Sequence, residues 1–219
     1  MEEKNDKDKN GEAKEEVVKE KGEEDGEFYL YKVVLVGESG VGKTSIINRY
    51  VMDKFANEFF PTTIRSSFQK KLNVGNKNLN FTIWDTCGQE QYRSMTKDFY
   101  RNAVICLLVY DITNQKSFQE VKAFWFDDAI KNRGKEIIFG LAGNKSDLQE
   151  KKVSDEEASD WAQANNVIFG LTSAAESRGI DDLFKRLASK LIETEKKEKP
   201  EKKLKLEDNK RKGNEKKWC

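Results

Sequence analysis

Gly37-Glu38-Ser39-Gly40-Val41-Gly42-Lys43-Thr44 directly follows the apolar run at residues 31–36 and precedes a segment with helical character. A strand, a glycine-rich loop and a helix, in this order, form the context in which G-x-x-x-x-G-K-[ST] binds phosphate. Glycines permit backbone conformations that other residues avoid, so successive N–H groups can surround a polyphosphate at the positive end of the helix dipole. Lys43 supplies a charge for the outer phosphates, and the Thr44 hydroxyl is a ligand for Mg²⁺. The stretch therefore predicts a nucleotide-binding P-loop.

Composition excludes several classes of function. The chain has 219 residues, which fits one domain with tails, and 36% of them are charged. Because Lys+Arg 40 and Asp+Glu 39 nearly cancel, there is no basic excess of the kind a nucleic-acid-binding protein needs. Histidine is absent, which excludes mechanisms that use an imidazole base and metal sites that use imidazole ligands.

The charges are concentrated at the two ends. Residues 1–27 are nearly all polar and are predicted to be a disordered extension, whereas residues 28–192 form the folded domain. Residues 193–219 are predicted to be a flexible Lys-rich tail. No stretch is apolar enough for a signal peptide or a membrane-spanning helix. The few, scattered cysteines indicate a reducing cytosol rather than a disulfide framework.

Strand-like and helix-like segments alternate, which predicts an α/β fold with a six-stranded, mostly parallel sheet and five helices on both faces. Strands are expected at 28–36, 66–74, 79–85, 104–110, 137–142 and 167–171, and helices at 44–52, 92–101, 117–131, 154–165 and 180–192. Residues 66–85 form a hairpin with its turn at 75–78, which places one antiparallel strand at the edge of the sheet. Ser154 and Glu157 have the spacing of a reciprocal capping box.

The stretch Trp84-Asp85-Thr86-Cys87-Gly88-Gln89-Glu90 follows a predicted strand. Asp85 is placed to hold Mg²⁺ through water, Gly88 to offer its N–H to the terminal phosphate, and Gln89 to orient an attacking water. An Asp-Thr pair before a glycine also occurs in ordinary turns, and the nearby P-loop favours the catalytic interpretation.

Two further stretches predict a pocket for guanine. Asp147, in Gly143-Asn144-Lys145-Ser146-Asp147, is a carboxylate that can accept both N–H donors of the guanine ring edge, whereas adenine presents the opposite pattern. Asn144 connects this loop to the P-loop, and the Lys145 stem lies along the base. In Thr172-Ser173-Ala174-Ala175, the Ala174 N–H meets the guanine carbonyl oxygen. Phe55 either covers the face of the base or is a plain core aromatic.

The P-loop, WDTCGQE, GNKSD and TSA, in this order and at these intervals, resemble the Ras superfamily of small GTPases over nearly all of residues 29–192. Within it the chain is most similar to the Rab family. This similarity rests on Ser39 and on the stretches at 63–68, 92–96, 99–101 and 108–113.

The resemblance implies a switch that binds GTP or GDP with Mg²⁺, hydrolyses GTP slowly without an activating protein, and binds effectors in the GTP state. It assigns catalytic roles to Lys43, Thr63 and Gln89, and Mg²⁺ ligation to Thr44, Thr63 and Asp85. The nucleotide-binding residues it implies are Gly37, Ser39, Gly40, Val41, Gly42, Lys43, Thr44, Ser45, Phe55, Thr63, Asp85, Gly88, Asn144, Lys145, Asp147, Ser173, Ala174 and Ala175.

It also implies partners and a location. These are a guanine-nucleotide exchange factor, a GTPase-activating protein, effectors, and the prenylation and membrane-extraction machinery. Cys219 is the candidate lipidation site, and the Lys-rich tail favours an anionic membrane face. A single prenyl group gives reversible attachment, so we expect a cytoplasmic protein that visits the cytosolic face of an intracellular membrane and regulates vesicle traffic.

Several positions depart from the family pattern, among them Arg65 in place of a glycine and Ser67 in place of an acid. The switch threonine is either Thr62 or Thr63, and Thr63 is favoured because loops tolerate the length changes that it requires. Cys87 stands where alanine is expected, as either a small buried residue or a redox-sensitive thiol. Ala175 replaces a lysine, and Cys219 lacks a C-a-a-X box. Two alternatives stay open: a GTP-binding scaffold that barely hydrolyses, and a soluble Ras-like signalling GTPase without a membrane role.

Overall fold

The computed structural model describes residues 19–20, 28–56, 66–86, 99–134 and 136–212. The strands are β1 (Lys19–Glu20), β2 (Phe28–Val36), β3 (Ser66–Val74), β4 (Lys77–Asp85), β5 (Ala103–Asp111), β6 (Ile138–Asn144) and β7 (Ile168–Leu171). The helices are α1 (Lys43–Met52), α2 (Gln115–Glu120), α3 (Phe126–Arg133), α4 (Asp155–Ala164) and α5 (Ile180–Lys212). A π-helical turn, Val121–Trp125, joins α2 to α3.

The sheet has the strand order β3-β4-β2-β5-β6-β7. β2, β4, β5, β6 and β7 run parallel to one another, and β3 pairs antiparallel with β4 at the edge. This arrangement confirms the predicted six-stranded, mostly parallel sheet with one antiparallel edge strand. Parallel strands end on the same side of a sheet, so the loops after β2, β4, β5, β6 and β7 meet along one rim.

Alternate residues of the central strands pack on opposite faces of the sheet. Val33 and Leu35 of β2 belong to a core with α1 and α5, whereas Val34 and Val36 belong to a core with α2, α3 and α4. The sheet is therefore buried on both faces, which explains why β5 reads as a continuous apolar run. Helices cover both faces, as the alternation of segments predicted.

One predicted helix falls mostly outside the described residues. It was expected at 92–101, and the described residues begin at Phe99, where Phe99 and Tyr100 are helical. The other four helices are present. The helix expected at 117–131 runs from Gln115 to Arg133 as α2, the π turn and α3, because Asn114 caps it two residues earlier by accepting from Ser117 N at 3.3 Å.

The hairpin between β3 and β4 is tighter than predicted. Val74 pairs with Lys77, so the turn is Gly75-Asn76 and not residues 75–78. Gly75 has φ 59°, a left-handed conformation that glycine adopts without steric cost at this position of a two-residue turn. The predicted start of β4 at residue 79 was wrong because pairing extends as far as the turn permits.

Half of the predicted capping box is present. Ser154 Oγ accepts from Glu157 N at 3.0 Å, as predicted. The Glu157 carboxylate does not return to Ser154 but receives Lys122 Nζ at 3.1 Å and Gln115 Nε2 at 3.4 Å. The prediction of the reciprocal bond was wrong, because a cation on a neighbouring helix offers the Glu157 carboxylate a charge-assisted hydrogen bond.

The last helix does not end at Ile192. α5 continues to Lys212, where the sequence predicted a flexible tail from residue 193. Glu195 explains the start of this extension, because its carboxylate accepts from Tyr31 Oη and from Lys77 Nζ, both at 2.5 Å. Burial, reinforced by Glu195, raises the pKa of the Tyr31 phenol and keeps it a donor. Beyond Glu195 the sequence is rich in Glu and Lys, which have high helix propensity.

A short strand lies inside the segment predicted to be disordered. Lys19 and Glu20 of β1 pair antiparallel with Tyr29 and Phe28. β5 pairs with β2 only from Lys32 onward, so the first residues of β2 keep a sheet edge that another strand can occupy. The prediction for residues 1–27 needs this correction at Lys19–Glu20.

Candidate nucleotide site

The strand ends at one rim of the sheet bring the predicted site residues together. The P-loop follows β2, Asp85 is the last residue of β4, and Asn144 is the last residue of β6. Thr172 follows β7. In parallel α/β sheets this rim, where the strands end, is the usual place of a ligand site.

The P-loop has a backbone that requires glycine. Gly37 has φ 146°, and a Cβ built there would lie 2.2 Å from the carbonyl oxygen of Val109 in β5. Gly42 has φ 99°, and a Cβ there would lie 2.3 Å from Asn144 Nδ2. At these two positions the loop lies against β5 and the end of β6 with no room for a side chain. Such a loop leaves its N–H groups accessible to a polyphosphate.

Gly42 is also the N-cap of α1, and a glycine offers no side chain to cap the helix. The first N–H groups of a helix without a side-chain cap suit an anion. Of the other predicted loop residues, Val41 is buried, Gly40 has φ 79° and Ser39 is exposed, while Ser45 is half-buried in the first turn of α1. The geometry of this half of the site fits a phosphate group.

The Lys43 ammonium lies over the P-loop. Its Nζ donates to Gly37 O at 2.7 Å and to Glu38 O at 2.8 Å. Only 5% of the residue is exposed. These two carbonyls hold the charge at the inner side of the loop, which places it where the loop's N–H groups would surround an anion.

Thr44 and Asp85 form an oxygen pair that suits Mg²⁺. Thr44 Oγ1 donates to Asp85 Oδ2 at 2.6 Å, and Asp85 is buried, with 2% exposed. Mg²⁺ prefers hard oxygen ligands, typically a carboxylate or a hydroxyl supplemented by substrate phosphates. The donor set therefore fits the cation. The third predicted ligand, Thr63, lies outside the described residues, as do Gly88 and Gln89.

Asn144 connects the P-loop to the loop after β7. Its Nδ2 donates to Val41 O at 2.8 Å, and its Oδ1 accepts from Thr172 Oγ1 at 3.2 Å. Both Asn144 and Thr172 are buried, with 2% and 1% exposed. A buried amide with both ends bonded fixes the relative position of the two loops, since either bond is costly to leave unmade.

The base side of the site is a chain of hydrogen bonds around Ser173. Its Oγ donates to Asp147 Oδ1 at 2.5 Å and accepts from Glu176 N at 3.0 Å. Ser173 is fully buried, and its backbone pairs with Arg178. The Asp147 carboxylate is therefore oriented by a buried neighbour that is itself held by hydrogen bonds to Glu176 and Arg178.

Lys145 has a partner that sequence reasoning did not assign. Its Nζ lies 2.6 Å from Asp111 Oδ2 at the end of β5, and its backbone is left-handed, with φ 63°. Asp111 Oδ1 in turn accepts from Thr113 N at 2.8 Å. The sequence did contain a signal for this contact. Asp111 is the last residue of β5, the GNKSD stretch lies at the end of β6, and the two strands are neighbours in the sheet.

Arg49 is a second residue that sequence reasoning missed. It projects from α1 and donates through Nε to Ala174 O at 2.8 Å. Its Cζ lies 6.0 Å from the centroid of the Phe55 ring, which is 38% exposed. Arg49 thus lies between two predicted base-binding elements.

Trp125 is a third such residue. Its indole Nε1 donates to Glu38 Oε1 in the P-loop at 3.2 Å, and the indole is almost fully buried. Trp125 ends the π-helical turn, and π turns inside helices are frequent at functional sites. Trp125 also belongs to the core that α2, α3 and α4 form with the sheet.

Comparison with known proteins decides the family. A model of the Ras family matches residues 32–193. The Ras-related protein Rab-21 of Homo sapiens is 44% identical over 171 residues, which are 77% of this chain and 75% of that protein. The chain belongs to the Rab family of the Ras superfamily. Rab-21 of Bos taurus is also 44% identical, over 76% of its length. The Ras-related protein RABF2a of Arabidopsis thaliana is 40% identical over 171 residues, 77% of this chain and 84% of that protein.

Membership confirms the family predicted from the motifs. As a Rab-family small GTPase the chain is a GTP hydrolase, and a role in transport follows from the family. In the described part of the chain, no helix combines the length and the apolar composition that crossing a membrane requires. Cys87 and Cys219 lie outside the described residues.

Proposed function

We propose that this Rab-family chain is a guanine-specific switch whose nucleotide binds across the rim of the sheet, with its phosphates on the P-loop and its base between Asp147 and Ala174. The observation that carries the proposal is Asn144, which is bonded to the P-loop and to Thr172 at once. Because Asn144 fixes the distance between the P-loop and the loop that contains Thr172, it favours a single ligand that contacts both loops.

The choice of guanine rests on the Asp147 carboxylate. It accepts only, so it pairs with the N1–H and the 2-amino group of guanine and leaves adenine without a match. Ser173 supports this role, because its hydroxyl donates to Oδ1 and turns the carboxylate. The Lys145 stem lies along the base while its ammonium stays with Asp111, and Phe55 covers the opposite face.

Hydrolysis uses groups on both sides of the γ-phosphate. Lys43 stabilises charge that develops on the phosphate oxygens, and Gln89 orients the attacking water. Thr44, Thr63 and Asp85 hold Mg²⁺, which when bound neutralises charge on the phosphates. Gly88 donates its N–H to the γ-phosphate. Turnover is slow until an activating protein completes the site.

Loss of the γ-phosphate releases the two loops that contain Thr63 and Gly88, so effectors bind only the GTP state. An exchange factor reloads the protein. Lipid on Cys219 and the Lys-rich tail attach the chain reversibly to the cytosolic face of an intracellular membrane, where it regulates vesicle traffic. Prenylation and membrane-extraction proteins act on this tail.

The test is competition for a fluorescent guanine nucleotide by GDP, GTP and ATP at fixed Mg²⁺, with wild type, Asp147→Ala and Asp155→Ala. Asp155 is a surface carboxylate paired with Lys151 at 2.8 Å, so its removal controls for the loss of one charge. We expect the wild type and Asp155→Ala to prefer guanine nucleotides strongly, and Asp147→Ala to lose most of that preference, by about 100-fold or more. Equal competition by ATP, or wild-type behaviour of Asp147→Ala, contradicts the proposal.

A further inference from the structure

Arg49 is bonded to two consecutive peptide groups of the loop at 172–175. Its Nε donates to Ala174 O at 2.8 Å, and its Nη2 lies 3.4 Å from Ala175 O. The third arm, Nη1, donates to Asp53 Oδ1 at 2.8 Å and to Asp53 O at 3.1 Å. The guanidinium thus connects α1 with the loop that the proposed function places on the base.

The side chain is held on several sides. Only 16% of the Arg49 side chain is exposed, whereas 83% of the Asp53 side chain is exposed. The planar guanidinium donates in fixed directions, so a bond at one nitrogen orients the others. Because Arg49 belongs to the rigid helix that also carries Lys43, it holds the loop relative to the P-loop.

The backbone on the other side of Ala174 is held as well. Ser173 O accepts from Arg178 N at 3.0 Å. In a trans peptide the C=O and N–H groups point in opposite directions, so this bond directs the Ala174 N–H away from Arg178. The peptide group before Ala174 is therefore fixed by Arg178, and the peptide group after it by Arg49.

We propose that Arg49 is a positioning residue for base specificity, which holds Ala174 so that its N–H meets the carbonyl oxygen of guanine, O6. The inference rests on the proposed function, because it needs guanine in the pocket. Arg49 does not touch the base. It acts through the Ala174 carbonyl, in the peptide group after Ala174. Without Arg49 only Arg178 holds this backbone, so the Ala174 Cα and the N–H attached to it can shift, which weakens the bond to O6.

The test separates this role from general loosening of the loop by comparing three nucleotides. In 6-thio-GDP only O6 is changed, to sulfur, which is a weak acceptor. In inosine diphosphate O6 is intact but the 2-amino group is missing, so it reports the contact to Asp147. Affinities of GDP and both analogues are measured by competition for wild type, Arg49→Met, Arg49→Lys and the control Asp53→Asn.

Asp53→Asn removes the ion pair with Arg49 but not the bonds to Ala174 and Ala175. Asparagine also tolerates the left-handed backbone at this position, where φ is 52°. Arg49→Met removes the donors and keeps the apolar stem. Arg49→Lys keeps a cation without the planar fork, and it serves as the second variant if Arg49→Met does not fold.

We expect wild type and Asp53→Asn to bind GDP about threefold to tenfold more tightly than 6-thio-GDP, the value of one neutral hydrogen bond. In Arg49→Met, and partly in Arg49→Lys, this ratio should fall toward one while the ratio of GDP to inosine diphosphate stays at its wild-type value. A folded Arg49 variant that retains the wild-type ratio of GDP to 6-thio-GDP overturns the inference.

Equal loss for all three nucleotides also overturns it, because that result describes a loop that is merely loosened. If wild type binds GDP and inosine diphosphate equally, the Asp147 contact is absent and the proposed function fails, taking the inference with it. If wild type discriminates against inosine diphosphate but not against 6-thio-GDP, the pocket stands and the inference alone falls.

Discussion

In the phosphate half of the site, residues 37–44, the shape of the loop depends on glycines, whereas in the base half it depends on hydrogen bonds made by side chains. Gly37 and Gly42 lie where a Cβ would meet atoms of β5 and β6 at 2.2 and 2.3 Å. In the base half, Asn144, Ser173 and Arg49 supply hydrogen bonds of 2.5 to 3.2 Å to neighbouring loops.

Substitutions in the two halves of the site should therefore weaken nucleotide binding in different ways. An atom added at a close backbone contact has nowhere to go, so a substitution in the phosphate half displaces the loop. A hydrogen bond contributes only about 0.5–1.5 kcal/mol net, so a substitution in the base half should weaken binding by a limited factor. The comparison predicts abrupt loss on one side of the site and graded loss on the other.

Gly37→Ala should have the largest effect. The added Cβ would lie against the carbonyl of Val109, a residue of β5 that pairs with Ala142 in the sheet, and the backbone at φ 146° disfavours alanine. We expect the affinity for fluorescent GDP, measured by titration, to fall by about 100-fold or more.

Gly75→Ala is the matched control for Gly37→Ala. Gly75 is also left-handed, with φ 59°, but a Cβ there has no neighbour within 4 Å among the described residues. We expect about 1 kcal/mol of lost stability in urea unfolding and wild-type GDP affinity. If Gly37→Ala binds GDP as tightly as Gly75→Ala does, the steric account of the phosphate half is wrong.

Asn144→Ala should have the next largest effect, because it removes the residue that joins the two halves. Val41 O and the Thr172 hydroxyl each lose a partner in a buried position. We expect GDP affinity, measured in the same titration, to fall by about 10-fold to 100-fold.

Thr172→Val sharpens this prediction. It removes only the 3.2 Å bond to Asn144 and keeps the bond from Asn144 to Val41. The loss should be about 10-fold at most, smaller than for Asn144→Ala. Equal losses in the two variants would mean that the contact with the P-loop contributes nothing, and that the halves are positioned independently.

Local sequence carried much of the fold and of the site. β2, β5 and β6 are short apolar runs, a pattern typical of buried strands. The P-loop is one contiguous stretch whose glycines, lysine and threonine have their roles at fixed spacing. Asp85 and Asn144 follow such strands directly. Adjacency in sequence was enough to place all of these residues at one rim.

Residues that act across long separations could not be predicted. Arg49 and Ala174 are 125 positions apart in sequence. They become partners only because α1 packs beside the loop that follows β7. Trp125 reaches Glu38 from a π turn, whose extra residue shifts the helical phase. The extension of α5 beyond Ile192 begins at Glu195, whose partners Tyr31 and Lys77 are on strands.

Trp125→Phe should have the smallest effect, because the phosphate half depends on side chains least. The change keeps a buried aromatic ring but removes the N–H that donates to Glu38. Glu38 O also holds the Lys43 ammonium, so a looser Glu38 should loosen Lys43. We expect GDP to dissociate about threefold faster, measured by chasing fluorescent GDP with excess unlabelled nucleotide.

Trp161→Phe is the control for Trp125→Phe, because it removes an indole from the same core without touching the bond to Glu38. Trp161 lies in α4 with its ring 5.2 Å from that of Phe126, and its replacement should leave GDP dissociation unchanged.

A double-mutant cycle tests whether Trp125 acts through its bond to Glu38. In a Glu38→Leu background, where the side chain offers no acceptor, Trp125→Phe should not speed GDP dissociation any further. If the effects of Trp125→Phe and Glu38→Leu instead add, Trp125 acts through packing alone, and the phosphate half depends on its glycines and Lys43 without support from the π turn.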